Sequence, residues 1–423
     1  MEWVLWAVPV ALLCLGAPLY LCFLAGAVAG LIFVVDVPHT IAPQAIFGAA
    51  DSFTLLAIPF FLFAGELMGR SGIADRLIKW SEALFGGVRG SLALATVGAS
   101  VVFGAISGAT VATVATVGRV MYPALRKNGY YEQFSLGLIT ATGSIDALIP
   151  PSILMVLYGV AAEQSVARLF IAGILPGLLL AGVQAAYVVW HARRHRVPVT
   201  GRVDVRHMAR TTLDASWALA VPVIILGGIY LGVFTPTEAA GVAVVVGIVS
   251  AMFIYRDMRW VTLWRIGVGS GKLTSQLLII VGCAQLYAWL LTTLSVPQRL
   301  TEAVVALQLP PWGIMMALNV ILLVVGMLVD PASATLVLTP LFAPLVKTAG
   351  VDLLHFGIIL TTNLGLGTYT PPFATNIFTT QSLFNVPVSK IVPGLLPFIG
   401  LHLVALALIT YVPWLSLALV RGF

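Results

Sequence analysis

The chain contains about ten stretches of roughly 20 apolar residues, the length that one α-helix needs to cross a bilayer. Of its 423 residues, 60% are hydrophobic and only 9% are charged, whereas soluble domains are about 45–50% apolar and about 25% charged. A surface so poor in charge must contact lipid. The ~10-residue alternation of a transmembrane β-barrel does not occur. The sequence therefore predicts an all-α polytopic membrane protein.

Polar breaks between the apolar runs divide the chain into four regions. We predict an N-terminal membrane helix in residues 1–40, a first unit over 41–191, a basic linking region over 192–260 and a second unit over 261–423. The N-terminal helix is expected over about 3–35. Further helices are expected over about 53–69, 131–162, 166–191, 215–233, 237–255, 273–293, 353–384 and 388–419, with amphipathic segments at 72–86 and 295–308.

Two apolar runs, 90–122 and 311–346, carry a break near their middle. Each half is short for a full crossing, so a re-entrant helical hairpin fits better than two spans. Non-helical backbone survives at membrane depth only where it is buried in protein or lines a cavity. The tips of the two predicted hairpins are Ser107-Gly108-Ala109-Thr110 and Asp330-Pro331-Ala332-Ser333.

The basic residues predict the orientation. With the N-terminus in the cytoplasm, 18 of the 22 Lys and Arg lie in inside segments and 4 lie outside, as the positive-inside rule requires. The prediction is a multi-pass protein of a bacterial inner membrane with a periplasmic C-terminus. The basic excess is explained by topology and membrane lipid, so no nucleic-acid partner is required.

The two halves match at a shift of 221 residues, which pairs Pro123 with Pro344 and Gly129 with Gly350. The same shift pairs the doublet Pro150-Pro151 with Pro371-Pro372. Because the predicted hairpins enter from opposite sides, the repeat is inverted. Inverted repeats with broken helices place substrate and ion sites near the midplane of the bilayer.

Each proline doublet interrupts a predicted membrane helix. Proline removes a backbone donor and frees carbonyls in the preceding turn, and freed carbonyls with hydroxyls suit Na⁺, whereas half-helix N-termini suit a carboxylate. A doublet that only kinks a packed helix is the alternative. The candidate ion and substrate residues are Ser107, Gly108, Ala109, Thr110, Gly143, Ser144, Asp146, Pro150 and Pro151 in the first half, and Asp330, Pro331, Ser333, Gly365, Gly367, Thr368, Thr370, Pro371 and Pro372 in the second.

Carboxylates within the membrane are functional candidates by default. Asp146 precedes Pro150 by four residues and has no capping pattern. Asp330 suits an ion site and, equally, an N-cap ahead of Pro331. Glu238 belongs to a capping box with Thr235.

Several motifs in this order resemble the large membrane subunit of tripartite ATP-independent periplasmic (TRAP) transporters, the DctM-like family. The likeness covers nearly the whole chain. The motifs are FGAISGATVATVATVG (103–118), LIPPSILMVLYG (148–159), LFIAGILPGLL (169–179), FTPTEAA (234–240), DPASATLVLTPLFAP (330–344) and TPPFATNIF (370–378).

The resemblance implies an elevator-type importer of organic acids, dicarboxylate-like compounds among them, coupled to Na⁺ and without ATP hydrolysis or a further cofactor. It also implies two partners, a small four-helix membrane subunit and a periplasmic solute-binding protein. Two alternatives remain: a stand-alone sodium/carboxylate symporter and, more remotely, an intramembrane enzyme using Asp146 and Asp330.

Overall fold

The computed structural model describes residues 3–35, 37–38, 40–199 and 204–422. Across these residues the chain is helical and contains no strand. Six helices in the described part are long and apolar enough to cross a membrane, or seven if one bent pair counts as a single span. The predicted all-α polytopic class is therefore confirmed.

The N-terminal region forms three helices, α1 (Val4–Cys14), α2 (Leu19–Phe33) and α3 (Ile41–Ala50). The prediction of one helix over 3–35 is wrong, because Gly16 adopts a positive φ of 77° and Pro18 follows it. Helices α1 and α2 pack antiparallel: a Cβ on Gly30 would lie 2.6 Å from Leu5, and one on Gly26 would lie 2.5 Å from Pro9. The N-terminus therefore lies at the same face as the end of α2.

The first unit opens with a short 3₁₀ turn and continues through seven α-helices, one of which is followed by a second 3₁₀ turn. The amphipathic helix α5 and the long helix α10 match their predicted ranges closely. The elements are Phe53–Leu56, α4 (Ala57–Arg70), α5 (Gly72–Phe85), α6 (Ser91–Ser107), α7 (Thr110–Lys127), α8 (Glu132–Thr142), the 3₁₀ turn Gly143–Ala147, α9 (Ile153–Ala161) and α10 (Val166–Arg194).

The linking region contains α11 (Val205–Asp214), α12 (Ser216–Tyr230) and α13 (Pro236–Val249), which continues into a π-helical turn. Helices α11 and α12 are bent by 65° at their junction. The predicted capping box at the start of α13 is present: Glu238 N–H donates to the Thr235 hydroxyl, and Thr235 N–H donates to Glu238 Oε2 at 2.8 Å.

Arg76 of α5 contacts the end of α11 and the segment between α13 and α14. Its Nη1 lies 2.9 Å from Asp257 Oδ2, and its Nε lies 3.6 Å from Asp214 Oδ1. The guanidinium also sits 3.8 Å above the ring of Tyr255. These segments were all predicted on the basic side of the membrane, so their contact agrees with that assignment.

The second unit contains eight α-helices and a final 3₁₀ turn. Helix α14 begins at Trp260, thirteen residues before the predicted start at 273, because no proline interrupts the basic segment and its Gly residues continue the helix. The elements are α14 (Trp260–Thr293), α15 (Val296–Ala306), α16 (Pro311–Leu328), α17 (Pro331–Thr348), α18 (Leu353–Gly367), α19 (Thr375–Phe384), α20 (Val388–Tyr411), α21 (Trp414–Leu417) and Val420–Gly422.

Helices α6 and α7 make a U-turn. A Cβ on Gly90, just before α6, would lie 3.0 Å from Ala192 near the end of α10. After α7, the ring of Tyr131 lies 5.4 Å from that of His195, which follows α10. Both ends of the pair therefore lie at one face, which we call the basic face.

Helices α16 and α17 make the corresponding turn from the opposite face. The Tyr411 hydroxyl at the end of α20 donates to the carbonyl of Trp312 near the start of α16. His355, near the start of α18, contacts Ser416 of α21 at 3.1 Å. Since Lys390 at the start of α20 pairs with Glu132 at the basic face, α20 ends at the other face. The pair α16–α17 therefore has the opposite orientation to the pair α6–α7.

Two helices of the opposite units cross very closely. A Cβ on Gly394 of α20 would lie 1.9 Å from the carbonyl oxygen of Gln133, and one on Gly137 of α8 would lie 2.1 Å from that of Gly394. Only glycine permits this backbone approach. The crossing joins α8 of the first unit directly to α20 of the second.

Candidate site at the broken helices

Both proline doublets break a helix. Helix α8 ends at Thr142, the 3₁₀ turn Gly143–Ala147 follows and α9 begins at Ile153, whereas α18 ends at Gly367 and α19 begins at Thr375. The peptide bond within each doublet is cis. Since proline has no N–H, neither doublet can continue the helical hydrogen bonds. The predicted breaks are therefore present, and the alternative of a mere kink is excluded.

The first tip rests on the first break. Gly108 adopts a positive φ of 61°, and a Cβ there would lie 2.6 Å from the carbonyl oxygen of Pro151. The Ile153 N–H donates to the Gly108 carbonyl at 3.3 Å. Glycine is required at this position by both its backbone conformation and the close approach.

The second tip rests on the second break in the same way. The N–H of Phe373, next to the second doublet, donates to the carbonyl of Met327 near the end of α16 at 3.2 Å. A Cβ on Gly367 would lie 2.4 Å from the backbone of Gly326. Each half therefore joins its own tip to its own break.

Two contacts join the halves at the breaks. Thr110 Oγ1 lies 3.3 Å from Asn376 Oδ1 of the other half, and within the second half Asn376 Nδ2 donates to Thr368 Oγ1 at 3.0 Å. A Cβ on Gly365 would lie 2.8 Å from that of Ala147 and 3.5 Å from the carbonyl of Ser144. The two breaks cross each other in the interior of the protein.

A cavity of about 190 Å³ lies where these elements meet. It is smaller than the ~300–1,000 Å³ typical of sites for drug-sized ligands, so it suits a small solute. Both tips and both breaks contribute, and α4 and α14 close one side. Its lining is Leu62, Gly108, Ala109, Thr110, Val111, Ala147, Ile153, Leu154, Leu277, Asp330, Pro331, Ala332 and Thr375.

Four half-helices begin at this cavity: α7, α9, α17 and α19. In three of them the side chain of the N-cap residue, Ala109, Ser152 or Ala374, accepts no hydrogen bond from a helix N–H. Helix N-termini carry a partial positive charge and free N–H groups. Three half-helix N-termini therefore add partial positive charge to a cavity whose lining contains no Lys, Arg or His.

Asp330 caps the fourth half-helix. Its Oδ1 accepts N–H bonds from Ala332 and Ser333, each at 3.0 Å, and its Oδ2 accepts from the Ser333 hydroxyl. Of the two roles predicted for Asp330, the structure shows the cap. The carboxylate also borders the cavity, so this corner of the site is negative.

Other predicted residues lie around the cavity without lining it. Ser107 is fully buried against Gly65 of α4, and Thr370 bonds only its own helix, at the Leu366 carbonyl. A Cβ on Gly143 would lie 2.6 Å from Asn376 Nδ2. Asp146 is fully buried and accepts a hydrogen bond from the Thr113 hydroxyl.

The sequence argument missed a buried polar cluster that joins the two breaks. His402 of α20 contacts Tyr369, Ser144 at 3.4 Å and Gln184 at 2.9 Å. All four side chains are buried. An isolated His or Gln in an apolar helix is the sequence signal for such a cluster, because a polar group buried in a membrane requires partners. Asn376 was missed too, although it is a polar residue beside the second break.

Discontinuous helices in inverted repeats around a shared cavity define the protein as a secondary-transporter fold. Comparison with known proteins identifies the group. Residues 6–415 match the family described as "Tripartite ATP-independent periplasmic transporter, DctM component". The chain belongs to this family, which confirms the resemblance seen in its motifs and makes it a transporter component rather than an enzyme.

Two curated relatives are similar over nearly their whole length, and a third is similar over part of a longer chain. The C4-dicarboxylate TRAP transporter large permease protein of Pseudomonas aeruginosa is 41% identical over 396 residues, which cover 94% of this chain and 92% of the relative. The ectoine/5-hydroxyectoine large permease protein of Ruegeria pomeroyi is 37% identical over 413 residues, covering 97% and 96%. An isethionate permease protein, DctMQ, of Oleidesulfovibrio alaskensis is 35% identical over 95% of this chain and 63% of the relative.

A solved structure shares the fold. The crystal structure of the Alcanivorax borkumensis YdaH transporter, described as having an unusual topology, superposes with a TM-score of 0.66. The match covers 97% of this chain and 99% of that chain at 14% identity. At this identity the likeness concerns the fold alone.

Proposed function

We propose that the chain is the permease subunit of a sodium-coupled, binding-protein-dependent importer of a small organic acid, and that the cavity between tips and breaks is its substrate site. The observation that carries this proposal is the convergence on one cavity of four half-helix N-termini, three of which have no side-chain cap. Each uncapped N-terminus offers N–H donors and a partial positive charge to an anion.

The relatives support an anionic solute. Their names specify C4-dicarboxylate, isethionate and ectoine, so related chains differ in their solutes. A site built from backbone N–H groups suits different acidic headgroups, because it recognises charge more than shape. Substrate choice is then left to the apolar wall, which here includes Leu62 and Leu277.

Sodium coupling is supported by the opposite ends of the half-helices. Helices α6, α16 and α18 end at the tips and breaks, so their last carbonyls lack helical partners. Unwound carbonyls and half-helix C-termini coordinate Na⁺ in transporters of this architecture. Thr368 and Ser144 add hydroxyl oxygens nearby, although each already donates to a local carbonyl.

An elevator movement is the transport step that this packing favours. The transport unit, α6–α10 with α16–α20, is held together by the glycine crossing of α8 and α20. Helices α4 and α14 form the neighbouring wall of the cavity. Sliding of the unit along this wall would expose the cavity to each side in turn. Two partners, a small membrane subunit and a periplasmic binding protein, follow from the tripartite family.

The revised N-terminus changes the proposed topology. The Tyr287 hydroxyl donates to the Leu5 carbonyl at 2.9 Å, near the end of α14 that lies opposite the basic face. Because Lys and Arg are absent from residues 1–69, the basic count is unaffected. We therefore place both termini on the periplasmic side, with the basic face in the cytoplasm.

The test is uptake by proteoliposomes that contain this chain and its proposed small membrane subunit. A C4-dicarboxylate, isethionate and ectoine serve as labelled probes, each with its binding protein outside. The proposal expects uptake of at least one probe that needs an inward Na⁺ gradient and no ATP.

Omitting the binding protein is the decisive control. Uptake must then fall to the level of empty vesicles. Uptake that persists would favour the stand-alone sodium/carboxylate symporter, and uptake that ignores Na⁺ would refute the coupling.

A further inference from the structure

Asp146 is a fully buried carboxyl group beside the first break. Its Oδ2 accepts a hydrogen bond from Thr113 of α7. Its Oδ1 has no hydrogen-bond partner among the described residues. Burying a charged carboxylate with only one of its two oxygens hydrogen-bonded costs a large amount of free energy. The charge must therefore be neutralised by a cation or a proton.

No described side chain supplies the neutralising charge. Helix α6, which packs against the 3₁₀ turn that carries Asp146, contains no ionisable residue. Arg119 of α7 is six residues beyond Thr113, about 9 Å along the helix, and its side chain is exposed. The other ionisable groups of the packed helices lie toward helix ends: Tyr122, Arg126, Lys127, Glu132, Tyr158, Arg168, Tyr187, His191, Arg193, Arg194 and His355.

Two ionisable groups of the buried polar cluster come nearer, Tyr369 and His402, but both meet Ser144 and not Asp146. The space at Oδ1 is small. A Cβ on Gly104 would lie only 2.1 Å from this oxygen. No group of three or more metal-binding side chains occurs in the described part of the chain. A proton fits this position, whereas a hydrated or multiply coordinated metal ion does not.

We propose that Asp146 is a proton-binding site inside the transport unit, and that its protonation makes the transport cycle of this chain depend on pH. The inference rests on the proposed function. Asp146 lies in the 3₁₀ turn that contacts α18 through Ser144 and Ala147. A movement of either break would change the environment of the carboxyl group, and therefore its affinity for the proton.

The coupling has a defined direction. The proton binds to Oδ1 or Oδ2 and is released without any covalent change in the protein. Where the site is dry, the neutral acid is favoured; where the break opens to water, the carboxylate is favoured. Protonation therefore stabilises the conformation of this structure, and alkaline conditions favour a conformation in which Asp146 is hydrated.

Infrared difference spectroscopy on the purified full-length chain tests the protonation without any substrate. Subtracting the spectrum of Asp146→Asn from that of the wild type at neutral pH should leave the band of one protonated carboxyl group. Thr113→Val should shift the frequency of this band, because it removes the hydroxyl that is hydrogen-bonded to the Asp146 carboxyl group. Absence of the band, or its loss on addition of NaCl at constant pH, would overturn the proposal.

Uptake measured against pH tests the coupling. In the proteoliposome assay with a saturating Na⁺ gradient, the wild-type uptake rate should change at least several-fold across the pH range in which Asp146 titrates. The uptake rate of Asp146→Asn should not depend on pH over this range. Glu132→Gln, which removes an exposed carboxyl group paired with Lys390 at the basic face, should keep the wild-type profile. A profile for Asp146→Asn identical to wild type would refute the inference while leaving sodium-driven import intact. Failure of wild-type uptake itself would instead refute the proposed function.

Discussion

Gly108 determines both the backbone conformation of the first tip and its contact with the first break. Its φ of 61° is strained for any residue with a side chain, and a Cβ would lie 2.6 Å from the Pro151 carbonyl oxygen. Left-handed backbone costs an L-residue about 1–2 kcal/mol. The clash of a Cβ with the Pro151 carbonyl would also displace the first break, so a substitution at Gly108 would alter the cavity.

Gly108→Ala should therefore reduce both stability and transport. We expect a loss of about 2 kcal/mol or more in unfolding free energy, from the backbone strain and the forced displacement together. The measurement is thermal unfolding in nanodiscs with parallel uptake. Gly129→Ala is the matched control, since Gly129 has a φ of 83° but no atom within 4 Å of its Cβ position. Equal losses in the two variants would contradict a special role for the tip.

Asn376 joins the two halves at the residue scale. It is fully buried, donates to Thr368 and contacts Thr110. Asn376→Leu removes both interactions and leaves the buried Thr368 hydroxyl and the half-buried Thr110 hydroxyl with fewer partners, which should cost about 1–3 kcal/mol. It should also weaken the Na⁺ dependence of uptake. Thr379→Val, on the same helix with only a local bond to the Thr375 carbonyl, should change neither; a comparable effect there would argue against the cross-repeat contact.

At the scale of elements, the sequence predicted what proline, glycine and charge determine locally. The two breaks, the two tips and the amphipathic α5 follow from Pro-Pro doublets, small-residue turns and a charged helix face. The turn at Gly16 and Pro18 was missed, because apolar residues continue on both sides of it and hide the break in a hydrophobic pattern. The cluster around His402 depends on which helices meet, and a single sequence does not contain that information.

The crossing of α8 and α20 is the element contact that we expect to be least tolerant of change. Gly394→Ala places a methyl group 1.9 Å from the Gln133 carbonyl, so the helices must separate at a cost of about 1–3 kcal/mol. Gly400→Ala in the same helix meets nothing within 4 Å and should be neutral or stabilising by about 0.5–1 kcal/mol. Thermal unfolding of both variants is the measurement. Similar melting temperatures would show that α8 and α20 do not pack as described.

At the scale of the whole molecule, the antiparallel pair α1 and α2 places both termini opposite the basic face. A chain without native cysteines that carries Trp3→Cys or Arg421→Cys should react with a membrane-impermeant maleimide in intact cells. Arg196→Cys, exposed at the basic face, should react only after permeabilisation. Protection of position 3 in intact cells would restore the cytoplasmic N-terminus that the simple hydropathy pattern suggests.

The central claim is that two tips entering from opposite faces meet at one cavity, and the most direct measurement is cross-linking between them. Ala109→Cys and Ala332→Cys, which both line the cavity, are introduced into a chain without native cysteines and with a protease site after Val199. A short bis-methanethiosulfonate should keep the cleaved halves together on a denaturing gel, and Na⁺ with substrate should slow the reaction. Ala109→Cys with Gly400→Cys provides the background. Halves that separate completely under every condition would contradict the account.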